Sequence, residues 1–165
     1  MIRSATEQDL PVILDLIKQL ADYERLSDKV IATEQRLRDT LFGERPAAEV
    51  LLASGDGEIA GFAVFFTNYS TFLAKPGLYL EDLFVKPHAR GKGIGKALLA
   101  RLAKIAIERE CGRVEWSVLN WNEPSIRFYE ALGAVALSDW TTYRLTGESL
   151  AKLAGIAQGG RNSEC

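Results

Sequence analysis

Residues 78–100 read LYLEDLFVKPHARGKGIGKALLA, and the fold turns on how they divide. Residues 78–86 predict a buried strand, followed by a short loop and a helix opening at Gly93 or Ile94. Simple alternation puts Leu80 and Phe84 on one face of the strand and Tyr79, Leu83 and Val85 on the other. A strand apolar on both faces is an interior strand covered by helices. Glu81 and Asp82 interrupt it, one per face, so neither occupies a simple wet side. A buried carboxylate is costly unless it is paired or used.

The loop Arg90-Gly91-Lys92-Gly93-Ile94-Gly95-Lys96 predicts an anion site. Its glycines permit positive φ and close backbone approach. Amides at a helix start converge on one spot, and the dipole with Arg90, Lys92 and Lys96 favours a diphosphate. The competing reading is a glycine-rich turn that only lets strand and helix pack closely. Two nucleotide motifs fail on register. A dinucleotide fingerprint counted from Gly91 needs glycine at Lys96, and counted from Gly93 needs it at Leu98. A phosphate loop needs Ser or Thr where Ala97 stands.

Outward from this stretch, residues 2–5 predict a short strand. Thr6 caps a helix with Asp9 and Pro11 in its first turn, and Leu10, Ile13, Leu14, Ile17, Leu20 and Ala21 make its apolar stripe. Its end carries Asp22, Glu24 and Asp28 around Tyr23, either a solvated helix end or an attraction for a cationic substrate. Thr33 caps a second helix that buries Leu37, Leu41 and Phe42 and stops at Gly43. Residues 49–54 and 58–67 predict strands joined by Gly55-Asp56-Gly57, a hairpin signal. Residues 68–77, with Tyr69, Phe72 and Pro76, read as a loop. The helix after the glycines turns Ile94, Leu98, Leu102, Ile105 and Ala106 inward. Residues 113–119 predict a strand and 125–132 a helix closed by Gly133. Residues 135–137 and 141–145 read as a closing hairpin, and 148–153 as a last helix. The strand–helix–strand unit requires a parallel pair, whereas hairpins are antiparallel. A mixed α/β sheet with helices on both faces follows.

The 165 residues, 47% apolar and 25% charged, predict one domain over 1–155 with a disordered tail at 156–165. A net charge of −2 gives no support to a nucleic-acid partner. Two cysteines, Cys111 and Cys165, build no disulfide framework and fit a reducing, cytoplasmic setting. With His88 as the one histidine, little remains for a metal site. The opening residues predict no secretory leader, and no apolar run approaches the roughly 18 residues a membrane span needs.

The pattern R-x-x-G-x-G at Arg90, Gly93 and Gly95 resembles the acetyl-CoA pyrophosphate signature of the GCN5-related N-acetyltransferases (GNAT). Asn122-x-x-Ser125-x-x-Phe128-Tyr129 resembles the second signature of that family. The resemblance implies the acyl-CoA N-acyltransferase fold: a mixed, mostly antiparallel sheet with a splayed parallel pair holding the pantetheine, and a bulge near Glu81 and Asp82. It implies acetyl-CoA as co-substrate, held by Leu83, Phe84, Val85, Arg90, Gly91, Lys92, Gly93, Ile94, Gly95, Lys96, Asn122 and Ser125. It implies Glu81 as the group that holds an ammonium and takes its proton, with Asp82 as a structural carboxylate. It implies Tyr129 as the general acid, against the plain reading of a core aromatic beside Phe128.

The stretches at 20–28, 42–43, 79–82 and 121–125 look like the diamine branch, which holds spermidine/spermine and thialysine acetyltransferases. Gly147-Glu148 and residues 152–155 look more like its thialysine side. That branch implies a substrate pocket at Tyr23, Glu24, Glu81, Asn120 and Trp121, and a homodimer. Asn120 and Thr141 stand where the spermidine enzymes carry acids, and Tyr143 where they carry tryptophan. The expected substrate is therefore a primary amine of a short diamine or lysine-like amino acid. The competing readings are a protein lysine or N-terminal acetyltransferase and a non-catalytic acyl-CoA-binding regulator.

Overall fold

The computed structural model describes residues 1–156. Apart from Ile156, the expected tail lies outside the described residues. The chain divides into two compact units, Met1–Asn122 and Glu123–Cys165.

The first unit holds one five-stranded sheet in chain order. Its strands are β1 (Ile2–Ser4), β2 (Glu49–Gly55), β3 (Glu58–Ser70), β4 (Lys75–Val85) and β5 (Val114–Trp116). The first four pair antiparallel, and β5 runs parallel to β4. Helices α1 (Leu10–Tyr23), α2 (Glu34–Leu41) and α3 (Ile94–Glu108) complete the unit. Strand alternation splits the core in two. On one face Leu51, Ala53, Ala63, Phe65, Leu78 and Leu80 pack on Leu98, Leu102, Ile105 and Ala106 of α3. On the other, Val50, Leu52, Phe62, Val64 and Phe84 pack on Ile13, Leu16 and Leu20 of α1. The α1 stripe thus buries Leu16, which the periodicity had left out, while Leu14 is only half-buried.

The cap at Thr33 forms as the sequence predicts, whereas Thr6 precedes a 3-10 turn at 7–9 and α1 itself opens at Leu10. The Thr6 amide donates to Asp9 Oδ2 at 2.7 Å, and Thr33 Oγ1 accepts the Arg36 amide at 3.2 Å. Arg3 grips both Asp9 oxygens at 2.7 Å and holds that carboxyl well below the usual range.

Three expectations change. Residues 68–77 are mostly strand, because β3 runs to Ser70 and β4 starts at Lys75. Pro76 is tolerated there because the amide it lacks would point away from β3. The Leu78 amide, two residues on, donates to Arg113 O on the far side at 3.0 Å, and Pro76 O accepts from Gly112 at 2.8 Å. Gly77 fits a close approach of strands, since a Cβ there would lie 3.2 Å from Arg113 O and would displace the Asn68 side chain.

The second change is the facing of β4. Val64 pairs with Asp82, and the next residue of β3, Phe65, pairs with Leu80. Glu81 is therefore an extra residue, a β-bulge. Leu80 and Leu83 consequently share the α3 face while Phe84 joins the α1 face. The expected grouping of Leu80 with Phe84 fails for this reason.

In the second unit, α4 (Glu123–Ala131) and α5 (Gly147–Leu153) form. Gly133 closes α4 at φ 91°, with the Ala134 amide donating to Tyr129 O at 3.2 Å. The third change lies here. Residues 135–137 and 141–145 form no strand among the described residues. Val135 and Tyr143 are exposed, and a two-stranded hairpin that buries no apolar face is marginal in water.

Candidate active site

The bulge and a short β5 shape the centre of the first unit. β5 pairs with β4 only from Leu78↔Val114 to Leu80↔Trp116, while β4 continues to Val85. A gap opens beside residues 81–85. The bulge also switches which amides face it. Below the bulge the Leu78 amide points to the β5 side; above it, the Lys86 amide donates to Ala60 O of β3 at 2.8 Å. Alternation then turns the amides of Leu83 and Val85 toward the gap and that of Phe84 toward β3. The Phe84 side chain is buried on the α1 face, so only its backbone neighbours reach the gap.

At the end of β4 the loop turns into α3. Gly91 and Gly93 take φ of 76° and 78°, and a Cβ at either would meet nothing within 4 Å. These glycines serve left-handed backbone beside open space, and close packing does not require them. Gly93 caps α3, whose first amides have no helical partner. Ile94 is half-buried against the core, and Gly95 lies in the first turn. The three basic residues behave differently. Lys92 Nζ pairs with Asp56 of the β2–β3 turn at 2.6 Å. Arg90 turns inward and donates from Nε to Val85 O at 2.9 Å. Lys96 is exposed and makes no ion pair among the described residues. Open glycine positions, aligned amides and that lysine fit a diphosphate.

Arg90 leads to a stack of rings and guanidinium groups. Its carbon lies 5.5 Å from the Phe84 ring centre and 4.8 Å from that of Tyr23. The Tyr23 and Trp121 ring centres are 6.1 Å apart, and the Arg25 guanidinium carbon lies 4.8 Å from the centre of Trp121. Such cation–ring contacts are worth about 0.5–2 kcal/mol each. Tyr23 OH donates to Oδ1 of buried Asn122 at 3.0 Å, fixing the end of α1 to the loop after β5. Asn122 is therefore a buried anchor for Tyr23. Asn120 is exposed.

Glu81 is exposed on the bulge, and Asp82 is half-buried on the α1 face, opposite Val64. Burial pushes the Asp82 carboxyl up to about 6, and the charges of Glu81 and Glu24 add to the effect. Burial also raises the Glu24 carboxyl. Three acids thus surround one place beside Tyr23, a field that attracts a cation.

Because folding raises the Asp82 value, its neutral form favours the fold. That contribution is complete below pH 3.8 and is lost as pH rises to about 6. Asp82→Asn is therefore expected to match the parent protein near pH 4. Above pH 6 it should exceed the parent by up to about 3 kcal/mol. Urea unfolding across pH checks this, and parallel curves would refute the burial of this charge.

Ser125 and Tyr129 lie half-buried on α4 in the second unit, where the Tyr129 and Phe128 ring centres are 5.4 Å apart. Sequence reasoning missed the inward turn of Arg90, the Lys92–Asp56 pair and the place of Arg25 over Trp121. The adjacency of Arg25 to Tyr23-Glu24 was visible, but long-range stacking leaves no periodic signal. Among the described residues no cluster of metal-ligating side chains occurs, and no helix is long and apolar enough to cross a membrane.

The acetyltransferase (GNAT) family model matches residues 15–134. The chain is 40% identical to a thialysine N-epsilon-acetyltransferase of Bos taurus, over 94% of this chain and 97% of that protein. It is 38% identical to an L-ornithine N5-acetyltransferase of Arabidopsis thaliana, over 90% and 85% of the two chains. Among solved structures, an integron cassette protein from the mobile metagenome of V. cholerae superposes with a TM-score of 0.79 at 31% identity. That match covers 93% of this chain and 96% of the other.

Proposed function

The chain belongs to the acetyltransferase (GNAT) family, and from that premise we propose that it transfers acetyl from acetyl-CoA to a primary amine of a small molecule, a lysine-like amino acid or short diamine. The observation that carries this reading is the gap beside bulged β4. The amides of Leu83 and Val85 turn toward it, and the bulge beside it carries Glu81 and Asp82, whose charges act on each other and on Glu24. The relatives that act on thialysine and ornithine support the choice of amine.

Acetyl-CoA, when bound, supplies the activated thioester. The amides at the start of α3 with Gly91, Gly93, Gly95 and Lys96 hold its diphosphate, and Ser125 takes part from α4. The amides of Leu83 and Val85 hold the acyl arm. Lys92 is free for this task only after leaving Asp56. An alkylammonium near pKa 10.4 is not a nucleophile at neutral pH. Tyr23 and Trp121 hold its chain, and Glu81 and Glu24 draw its charge. Glu81 takes the proton, directly or through water. The amine nitrogen then forms the new bond to the acyl carbon as the carbon–sulfur bond breaks, and Tyr129 gives a proton to the departing sulfur.

A second reading of the proton acceptor is favoured by one observation. Asp82, at about 6, is closer to the ideal for a base at neutral pH. The kcat/KM profile decides between them. An acid limb near pH 6 that disappears in Asp82→Asn assigns the base to Asp82. A limb that survives there and disappears in Glu81→Gln assigns it to Glu81.

The family match crosses the boundary at Asn122, which supports one catalytic domain; a single unfolding transition by activity and fluorescence is the expected result. A homodimer in the cytoplasm completes the proposal, with the oligomeric state tested by sedimentation. The deciding experiment is acetyl-CoA-dependent thiol release over spermine, spermidine, putrescine, lysine, ornithine, a lysine peptide and an N-terminal peptide. Turnover concentrated on lysine-like acids or short diamines supports the reading. Activity on peptides alone makes this a protein acetyltransferase. CoA binding without turnover makes it an acyl-CoA-binding regulator.

A further inference from the structure

Arg25 combines a costly backbone conformation with an uncommitted charge. Its φ is 62°, the left-handed region that side-chain-bearing residues avoid at about 1–2 kcal/mol. The conformation ends α1 sharply, with the Arg25 amide donating to Asp22 O at 3.0 Å. It delivers the guanidinium to the Trp121 face at 4.8 Å. Neighbouring acids do not take it. Asp28 pairs with Lys29 at 3.1 Å, and Asp22 accepts from Ser27 at 3.4 Å. Among the described residues the Arg25 side chain makes no hydrogen bond or ion pair. By contrast Arg3, Arg109 and Arg127 all close on carboxylates at 2.6–2.7 Å.

A guanidinium stacked on an aromatic face keeps its in-plane N–H fork available, and that fork matches a carboxylate. The stack also fixes the side chain, so little rotamer freedom is lost on binding. We infer that Arg25, held over Trp121 at the end of α1, is a specificity residue that receives the α-carboxylate of an amino-acid substrate while the opposite end of the pocket takes its amine. This rests on the small-amine reading above.

Charge arrangement favours this class. The charges of Glu24, Glu81 and Asp82 act on one another, whereas the Arg25 guanidinium lies over the Trp121 ring. An acceptor with an ammonium at one end and a carboxylate at the other matches both signs. A diamine of equal length would bring its second ammonium toward Arg25. Arg90 is the weaker candidate because its Nε is committed to Val85 O.

The test compares substrates that differ only in the carboxylate: lysine against 1,5-diaminopentane, and ornithine against putrescine. Asparagine tolerates the left-handed region, so Arg25→Asn removes the charge with least disturbance, and circular dichroism verifies its fold. Arg25→Asn should raise KM for lysine and ornithine roughly 10- to 100-fold, the scale for losing one partner of a charge-assisted pair. The paired diamines should stay within about twofold or improve. Arg25→Lys, which keeps the charge but not the fork, should recover part of the loss. Equal losses on acids and diamines would reduce Arg25 to a structural role and overturn the assignment. A parent enzyme that prefers the diamines would overturn it too. Turnover of no small amine by the parent would instead remove the functional reading itself, and this assignment with it.

Discussion

Tyr129→Phe is expected to lower kcat about 100- to 1,000-fold, the usual weight of a positioned general acid. CoA affinity should stay within about twofold, because the substitution removes one hydroxyl and no phosphate contact. The ring remains beside Phe128 at 5.4 Å between centres, so α4 keeps its packing. On the proposed mechanism, the variant lacks the hydroxyl that would give a proton to the departing thiolate. Water can replace it at the cost of order and timing. Stopped-flow thiol release and CoA titration separate the two quantities. A change confined to KM would assign Tyr129 to binding and remove it from the chemical step.

Gly93→Val is expected to abolish measurable CoA binding in calorimetry while the protein stays folded. At φ 78° a β-branched residue is strained by about 1–2 kcal/mol. That is a modest part of a domain's usual 5–15 kcal/mol. The strain alone does not unfold the chain, and the new side chain meets no protein atom, since a Cβ at this position has nothing within 4 Å. It occupies the space a diphosphate needs and tilts the first amides of α3 away. Gly93→Ala should show the same effect more mildly, with binding weakened roughly tenfold for each 1.4 kcal/mol lost. Undiminished binding by the valine variant would move the diphosphate site off this loop.

The strand–loop–helix at 78–100 was legible because each part has a local cause: β-rich apolar residues, then glycines, then a helical stripe. That helices cover both faces of the sheet was legible for the same reason, but which face each residue of β4 takes was not. The bulge was not, because Glu81 and Asp82 fit alternation equally well in or out of register. Only the pairing with Val64 and Phe65 separates them. Residues 68–77 misled because Pro76 and Gly77 look like breakers, yet a proline is harmless where its missing amide faces away from the partner strand. Residues 135–145 misled in the opposite sense, by carrying a strand pattern with no surface to bury it. Within the site, the glycine loop and Tyr23-Glu24 stood out in the sequence. The side-chain directions of Arg90, Lys92 and Arg25 depend on partners 5 to 96 residues away, and local pattern carries no trace of them.

The single extra residue in β4 has a consequence for how this strand can change. Glu81 acts as a phase slip between two half-strands, each locked to its own side of the sheet. Any exchange of side chain at 81 leaves the phase intact, so the position is open to chemistry. Loss of the residue would leave the facing intact too, because Leu80 and Asp82 already pair with consecutive residues of β3. What would turn residues 82–85 over together is Glu81 entering the regular ladder, which would drive Asp82 against α3 and Leu83 against α1 and turn the amides of Leu83 and Val85 inward to β3. The bulge, and not the side chain it carries, therefore sets the facing of the second half-strand. Removing residue 81 should take away its carboxylate and the local bend while Leu83 and Phe84 stay packed where they are.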